Sequence, residues 1–362
     1  MQIRNGSLLR RASATALAVL AVLFAAPAAQ AVNFEGQTVN IIVNFDAGSG
    51  TDAAARQIAP FVARHLPGKP NIIVTNKPGA TGLAAVEYFI DSVPPNGMNI
   101  GYFAGTISRW TFGQKLPEGT TDLSFVVARS VNSIILARTE KGLNPDTVAG
   151  YPDPLFFGEV SADNHIMMRM SLFMKAVGAK EYHALSGYRG QGAQVGAMRS
   201  DELDMTMVSD TFFGSGRDAI TGDGKIVAFG QMGAFVDGSF QPMVGWEDIP
   251  VLDAMWRKIS PETVDSADYT AWKNINIAMA MQQVFLLPPN TPEDIAIAWE
   301  QAILAAFDDP DYKALLASDG LPPPAVMGRD AIKQNMREVR DSFETPEIKE
   351  ALRLAIERNE RG

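Results

Sequence analysis

Val39-Asn40-Ile41-Ile42-Val43-Asn44-Phe45-Asp46-Ala47-Gly48-Ser49-Gly50-Thr51-Asp52 decides how this chain is read. Its first five residues form a short β-rich run that ends at a glycine loop. From Asp52 onward the apolar residues fall at helical spacing, at Ala55, Ile58, Val62 and Leu66. Pro60 lies inside that helix and is expected to kink it, because it removes one backbone bond. Residues 71–75 read as a second strand. A second turn, Asn76-Lys77-Pro78-Gly79-Ala80-Thr81-Gly82, leads into a helix with Leu83, Val86 and Ile90 on one side. Pro94-Pro95-Asn96-Gly97 breaks it, and residues 98–103 make a third strand ending at Ala104-Gly105-Thr106. Strand–helix–strand–helix–strand implies parallel strands joined by right-handed crossovers.

The layout returns downstream. Residues 155–158 read as a strand, and Ser161-Ala162-Asp163-Asn164 caps a helix with Met167, Met170, Met174 and Val177 on one side. Those methionines suit core filling. Residues 182–185 are a strand before the turn Ser186-Gly187-Tyr188-Arg189-Gly190-Gln191-Gly192. A short helix at 193–199 and strands at 203–208 and 225–230 follow. The expectation is two α/β lobes of like construction. Beyond them the chain is helical. Thr291-Pro292-Glu293-Asp294 reads as a helix start, with a cap, a proline and then acids at the positive end. Amphipathic helices are expected at 330–343 and 346–358.

Strand C-termini of a parallel sheet share one edge, and ligands bind in the crevice outside it. Three loops of the first half converge there: 46–52, 76–82 and 104–106. Two lead into helix N-termini, whose unpaired N–H groups and roughly half a positive charge suit an anion. Such an end contributes on the order of 0.3–1 kcal/mol when exposed and up to ~2 kcal/mol when partly buried. Two or three ends with hydrogen bonds from Thr51, Thr81 and Thr106 would hold a carboxylate with no arginine in the loops. Gly48-Ser49-Gly50 with Ala53 also fits a degenerate dinucleotide fingerprint. That fold needs an acid at the end of strand two, where Thr75-Asn76 stands. A phosphate loop needs a lysine after its glycines, and none is there.

Residues 1–31 carry Arg4, Arg10 and Arg11 and no acid. An apolar run from about Ala14 to Ala26 and then Ala29-Gln30-Ala31 complete a secretory signal, with cleavage expected after Ala31. Arg10-Arg11 leaves twin-arginine export open. The full chain has 31 basic and 41 acidic residues, and losing three arginines takes its charge from −10 to −13. An acidic surface argues against nucleic acid or anionic lipid as partner. There is no cysteine, which excludes a lipid-anchoring thiol, disulfides and thiolate metal sites. Nor does any later segment reach the ~18 apolar residues of a membrane helix. A soluble periplasmic protein of two domains, expected to be monomeric, follows.

Catalysis has little support. No Gly-x-Ser-x-Gly elbow is present. His65, His165 and His183 are scattered, none at zinc-ligand spacing. No carboxylate pair stands out as acid and base. No enzyme activity, cofactor or metal is expected.

The run IIVNFDAGSGTD resembles the substrate-binding proteins of tripartite tricarboxylate transporters, the Bug or TctC-like family. That family has a strand ending in Phe, a glycine-rich loop and Thr-Asp. Asn76-Lys77-Pro78-Gly79-Ala80-Thr81-Gly82 resembles its second hallmark turn. Pro95-Asn96-Gly97, Tyr188-Arg189-Gly190, Asp201-Glu202-Leu203-Asp204 and Leu287-Pro288-Pro289-Asn290-Thr291-Pro292 are similar to weaker motifs in the same order. The resemblance implies a type II periplasmic fold: two lobes, each a mostly parallel sheet flanked by helices, with the ligand cleft between them. Lobe one is expected at 32–137 and 286–362, with lobe two, 138–285, inserted and the crossings near Arg138 and Phe285. It further implies a small carboxylate ligand held with ordered water, and membrane transporter subunits in trans.

On this resemblance the ligand contacts lie at Phe45, Asp46, Ala47, Gly48, Ser49, Gly50, Thr51 and Asp52 in loop one. In loop two they are Pro78, Gly79, Ala80, Thr81 and Gly82, with Gly105 and Thr106 in loop three. Lobe two would add Ser161, Asn164, His165, Tyr188, Arg189 and Asp210. The chain departs from the family pattern at Asp46 and at Asp163, carboxylates that an anion would avoid. Where the family has Gly-Ser-x-x-His this chain has Ser161-Ala162-Asp163-Asn164-His165, so the serine contact falls on Ala162.

Overall fold

A computed structural model describes residues 32–361 except 112–115, 145, 160–164 and 189, and from Phe34 onward the chain is one compact unit. The expected export signal, Ser161, Ala162, Asp163, Asn164 and Arg189 lie outside the described residues. Strand β1 is Thr38–Val43, followed by helix α1 (Gly50–His65), β2 (Asn71–Asn76), α2 (Leu83–Asp91) and β3 (Asn99–Ala104). The three strands are parallel, with Val43 aligned on both Asn76 and Tyr102. Helix α1 forms because Ala55, Ile58 and Val62 recur on one face and are buried, while Pro60 sits on its exposed face. Phe89 of α2 meets Phe103 of β3 edge-on at 4.9 Å, both fully buried. Burying each stabilises the fold by about 1.5–3 kcal/mol.

The chain continues through α3 (Thr106–Thr111) and β4 (Ser124–Arg129), then β5 (Ser133–Arg138), β6 (Leu155–Glu159), α4 (His165–Ala176) and β7 (Tyr182–Ser186). Next are α5 (Gln191–Arg199), β8 (Met205–Ser209), α6 (Asp210–Thr221), β9 (Ile226–Gln231) and the hairpin β10 (Ala234–Val236) with β11 (Ser239–Gln241). Helices α7 (Leu252–Ile259) and α8 (Ala267–Met279), β12 (Gln283–Leu287), α9 (Glu293–Asp308), α10 (Pro310–Ser318), β13 (Val326–Gly328), α11 (Arg329–Phe343) and α12 (Pro346–Arg361) complete it. One sheet has the order β13-β4-β12-β3-β1-β2 and the other β7-β6-β8-β5-β9. Both are mixed. In the first, β12 runs against β3 and β4; in the second, β5 runs against β8 and β9. Helices flank both, giving two lobes.

The chain changes sheet at 130–132, between β4 and β5, and returns at 280–282, ahead of β12. The expected crossings at Arg138 and Phe285 are therefore displaced, because β5 and β12 each add a reversed strand to the sheet that they enter. A second correction concerns the C-terminus. Helix α11 packs on β4 and α3 and also on α8, and α12 packs on α4, α8 and β7. Ile348, Ala351 and Ala355 bury its apolar stripe there, and Arg358 Nη1 donates to Ser171 O at 3.0 Å. One apolar cluster includes Phe103 of the first sheet, Phe157 of the second, and Trp256 and Trp272. A third correction is local: Thr291 donates to Pro288 O at 2.8 Å rather than capping α9. Among the described residues no helix is long and apolar enough to cross a membrane.

The geometry turns the ends of the forward strands toward the crossings. Gln283 of β12 lies opposite Ala104 and Arg129, the last residues of β3 and β4. Ser133 of β5 lies opposite Ser209, the last residue of β8. The C-terminal edges of the forward strands in the two sheets thus face each other across 130–132 and 280–282. Beside this hinge the lobes touch backbone to backbone. A Cβ on Gly214 would lie 2.6 Å from Gly320 O, and a Cβ on Gly320 would lie 2.8 Å from Gly214 O. Gly320 is also left-handed, at φ +72°. Alanine at either position should therefore lower stability by about 1–3 kcal/mol. Gly192→Ala, which faces open space within α5, should be neutral or stabilising. Urea unfolding midpoints of the three variants check this, and an unshifted midpoint at both lobe-contact glycines would contradict it.

Candidate functional site

Asn44, just past β1 and almost fully buried, joins the ends of two strands. Its Nδ2 donates to Ala104 O at 2.9 Å, and its Oδ1 accepts from Ala104 N at 3.0 Å. A Cβ on Gly82 would fall 2.5 Å from that Nδ2, so loop two approaches only because residue 82 is glycine. One amide side chain thus ties the roots of all three loops.

Asp52 fixes loop one to loop two. The residue is 3% exposed, and its carboxylate accepts from Gly48 N at 2.8 Å, Arg56 Nε at 3.1 Å and Asn76 Nδ2 at 2.9 Å. Asn76 Nδ2 also donates to Phe45 O at 2.9 Å. The bond from Arg56 chiefly, with further help from Gly48 N and Asn76, outweighs desolvation and holds the Asp52 carboxyl down to about 2. Ser49 caps α1, its Oγ accepting from Asp52 N at 3.3 Å. Asp52, expected to touch ligand, instead uses its oxygens to hold the loop. The amides of Gly50 and Thr51, in the first turn of α1, have no intrahelical acceptor. No hydrogen bond from a described residue engages them.

Loop two is strained. Gly79, Ala80, Thr81 and Gly82 all have positive φ, at +127°, +47°, +53° and +96°. Two of these are not glycine, and each such residue costs on the order of 1 kcal/mol or more. The loop is held in place by Arg109 of α3, whose Nη1 donates to Thr81 Oγ1 at 2.7 Å. Arg109 is half-buried, and it makes no ion pair with a described residue. Sequence reading placed no arginine here. The available signal was Gly105, four residues before it, whose left-handed φ of +80° makes the turn into α3.

Of the remaining first-lobe residues, Asp46, Ala47, Pro78, Gly79, Ala80 and Thr81 are exposed at this edge, whereas Gly105 and Thr106 are buried. Asp46 O accepts from Ser49 N at 3.1 Å. In the second lobe Asp210 is 4% exposed and meets the crossing at Asn132. It accepts from Asn132 N at 3.0 Å and from its neighbour Thr211 N at 2.6 Å. Tyr188 donates to Glu202 Oε1 at 2.5 Å; burial first, then that carboxylate, pushes its phenol up to about 12. Its edge lies over Gly158, where a Cβ would meet the ring at 2.9 Å. His165 opens α4, and burial with the adjacent Arg169 charge holds it down to about 3, so it is neutral at physiological pH. Arg169 itself is 1% exposed and donates to Asn276 Oδ1 at 3.0 Å.

This arrangement offers donors and a cation at one sheet edge and suits an oxyanion. Among the described residues no cluster of His, Asp and Glu is placed to hold a metal. The architecture is that of a two-lobed solute-binding protein. No family model matches the chain. It is 24% identical over 328 residues to a UPF0065 protein of Bordetella pertussis, covering 88% of this chain and 89% of the relative. A TctC solute-binding protein from Polaromonas, without ligand, matches at TM-score 0.62 and 16% identity, over 86% of this chain and 99% of that one. Rpa4515 of R. palustris, with adipate, matches at 0.56 and 16% identity, over 87% and 97%. MatC of Rhodopseudomonas palustris, with bound malate, matches at 0.51 and 16% identity, over 85% and 99%. The chain is thus similar in sequence to a UPF0065 protein and has the two-lobed fold of the TctC-type structures.

The low Asp52 value has a sign that can be tested. A carboxyl depressed in the folded state stabilises the fold fully above its unfolded value, near 3.8, and loses that contribution as pH falls toward 2. Asp52→Asn should therefore cost about 1–3 kcal/mol at pH 7. The gap between wild type and variant should narrow below pH ~4. Denaturant titrations at pH 7, 4 and 3 measure it, and a gap constant across that range would rule out the assigned role.

Proposed function

We propose that this chain is a periplasmic solute-binding protein that captures a small carboxylate, a dicarboxylate, tricarboxylate or aromatic acid, by lobe closure. It delivers that acid to a tripartite tricarboxylate-type membrane transporter. The observation that carries the reading is the pair of free first-turn amides, Gly50 and Thr51, fixed beside a strained second loop and a cation at the edge facing lobe two. Malate and adipate in two structural neighbours support an acid ligand. The acid docks on lobe one, and lobe two closes over it to the extent that the ligand binds the closed form more tightly than the open one.

The export signal read in residues 1–31 supports a periplasmic location. A sensor subunit of the same fold would present the ligand to a receptor instead.

Native mass spectrometry of the purified protein, then a thermal-shift panel of C4–C6 dicarboxylates, citrate and aromatic acids, tests the reading. At least one acid should raise the melting temperature. Thr51→Val and Gly50→Val should each abolish that rise without unfolding the protein. An unchanged rise in both would remove loop one from the site, and appearance of a product from any acid would replace the binding reading with an enzyme.

A further inference from the structure

Arg109 stands apart from the other arginines near the site. Arg56 is neutralised by Asp52 at 3.0 Å, and Arg169 is almost fully buried. Arg109 is half-buried at the rim, with a side-chain bond to the neutral Thr81 hydroxyl and no carboxylate partner among the described residues. In a chain with 41 acids against 31 bases, a fixed cation left without an acid is unexpected on charge balance alone. Three features hold it there. The backbone N of Gly105, at the turn into α3, donates to Gln282 O at 2.9 Å at the return crossing. Ser108, one residue before Arg109, donates to Gln282 Oε1 at 2.8 Å. Thr81 then fixes one terminal nitrogen, so the guanidinium fork points from α3 toward loop two rather than sweeping solvent.

Resting on the carboxylate reading above, we infer that Arg109 is the charge-selecting residue of the cleft and forms the ion pair with an acid group of the ligand beside loop two. The backbone amides of loop one accept any oxygen acceptor, charged or neutral. A guanidinium adds the discrimination, because its paired N–H groups match a carboxylate bidentately. Thr81 takes one donor of the fork and leaves the others for the ligand. The same bond relates selection to loop shape: the left-handed Ala80-Thr81 turn is kept by the residue that reads the charge.

A purely structural role for Arg109, as a prop for loop two, predicts something different. It predicts lost stability without a change in how affinity depends on salt. Isothermal titration of wild type, Arg109→Gln, Arg109→Lys and Thr81→Val with adipate, malate and benzoate at several ionic strengths separates the two. Arg109→Gln should weaken the acid that binds wild type by about 10- to 100-fold. It should also flatten the salt dependence of Kd. Arg109→Lys should restore the salt dependence but only part of the affinity. Thr81→Val should keep the salt dependence. Equal affinity and equal salt dependence in Arg109→Gln overturn the inference while leaving the carboxylate reading intact. An equal loss in Arg109→Gln and Thr81→Val, with the salt dependence unchanged, reduces Arg109 to a prop. Wild-type protein that binds none of these three acids and no other acid of the thermal-shift panel, citrate included, overturns the carboxylate reading, and the inference with it.

Discussion

The Asp52 carboxylate is the constraint on which the site depends. It sits in the first turn of α1, where a negative charge is favoured, and accepts from a loop-one amide, a loop-two amide side chain and an arginine one turn on. The bond from Arg56 is the largest cause of its low pKa, but as an ion pair it adds little to stability. The Arg56 side chain is 49% exposed, and such pairs contribute little in water. The fixed N–H groups matter more: they bind a buried carboxylate that would be costly to strand. By engaging Asp52 in this way the protein keeps the charge of a buried acid compensated at the loop proposed to receive an anion. It also freezes the positions of Gly50 and Thr51 before any ligand arrives, which lowers the ordering cost of binding.

Loop two shows the complementary arrangement. A left-handed Ala-Thr pair is unstable by itself, so its persistence requires contacts that over-determine it. Asn44 supplies one from beneath, through the missing Cβ of Gly82, and Arg109 supplies another from the side. The contacts come from β1 and α3, elements rooted in the same sheet. The strain is thus sustained by rigid structure rather than by the loop itself, and loop geometry is coupled to the packing of the first lobe.

The sequence showed the parts of this fold that carry a local period. Helix α1, strands β1 to β3 and the glycine loops between them fall almost where the spacing put them. Strands β4, β5 and β12 did not announce themselves. Their residues are almost all buried, so no alternation marks them, and they are the elements through which the chain changes sheets. Misplacing the crossings by several residues follows from that. The site was legible as loops but not as roles. Asp52, read as a ligand contact, is a fastener, and Asp210, read as facing the cleft, braces the hinge at Asn132. Arg109 escaped because its importance is tertiary: nothing in its neighbours along the chain says that Thr81, 28 residues away, accepts its hydrogen bond.

The connections between the lobes bear on how far they can move. Two passages, at 130–132 and 280–282, join sheet to sheet. The short link from α11, which packs on β4, to α12, which packs on β7, makes a third. Two neighbouring strands alone permit a wide hinge. A third tie, together with an apolar cluster shared by Phe103 and Phe157, resists any rotation that would expose that core. The contact of Gly214 with Gly320 sets a further stop, since two backbones that touch cannot approach further. In the proposed function, a small angular change at the cleft would bring the ends of β6, β7 and β8 against an acid seated on Gly50, Thr51 and the Arg109 fork. Because lobe one is locked beforehand by Asp52 and Asn44, the free energy of the added contacts goes into closing the lobes instead of ordering the loops.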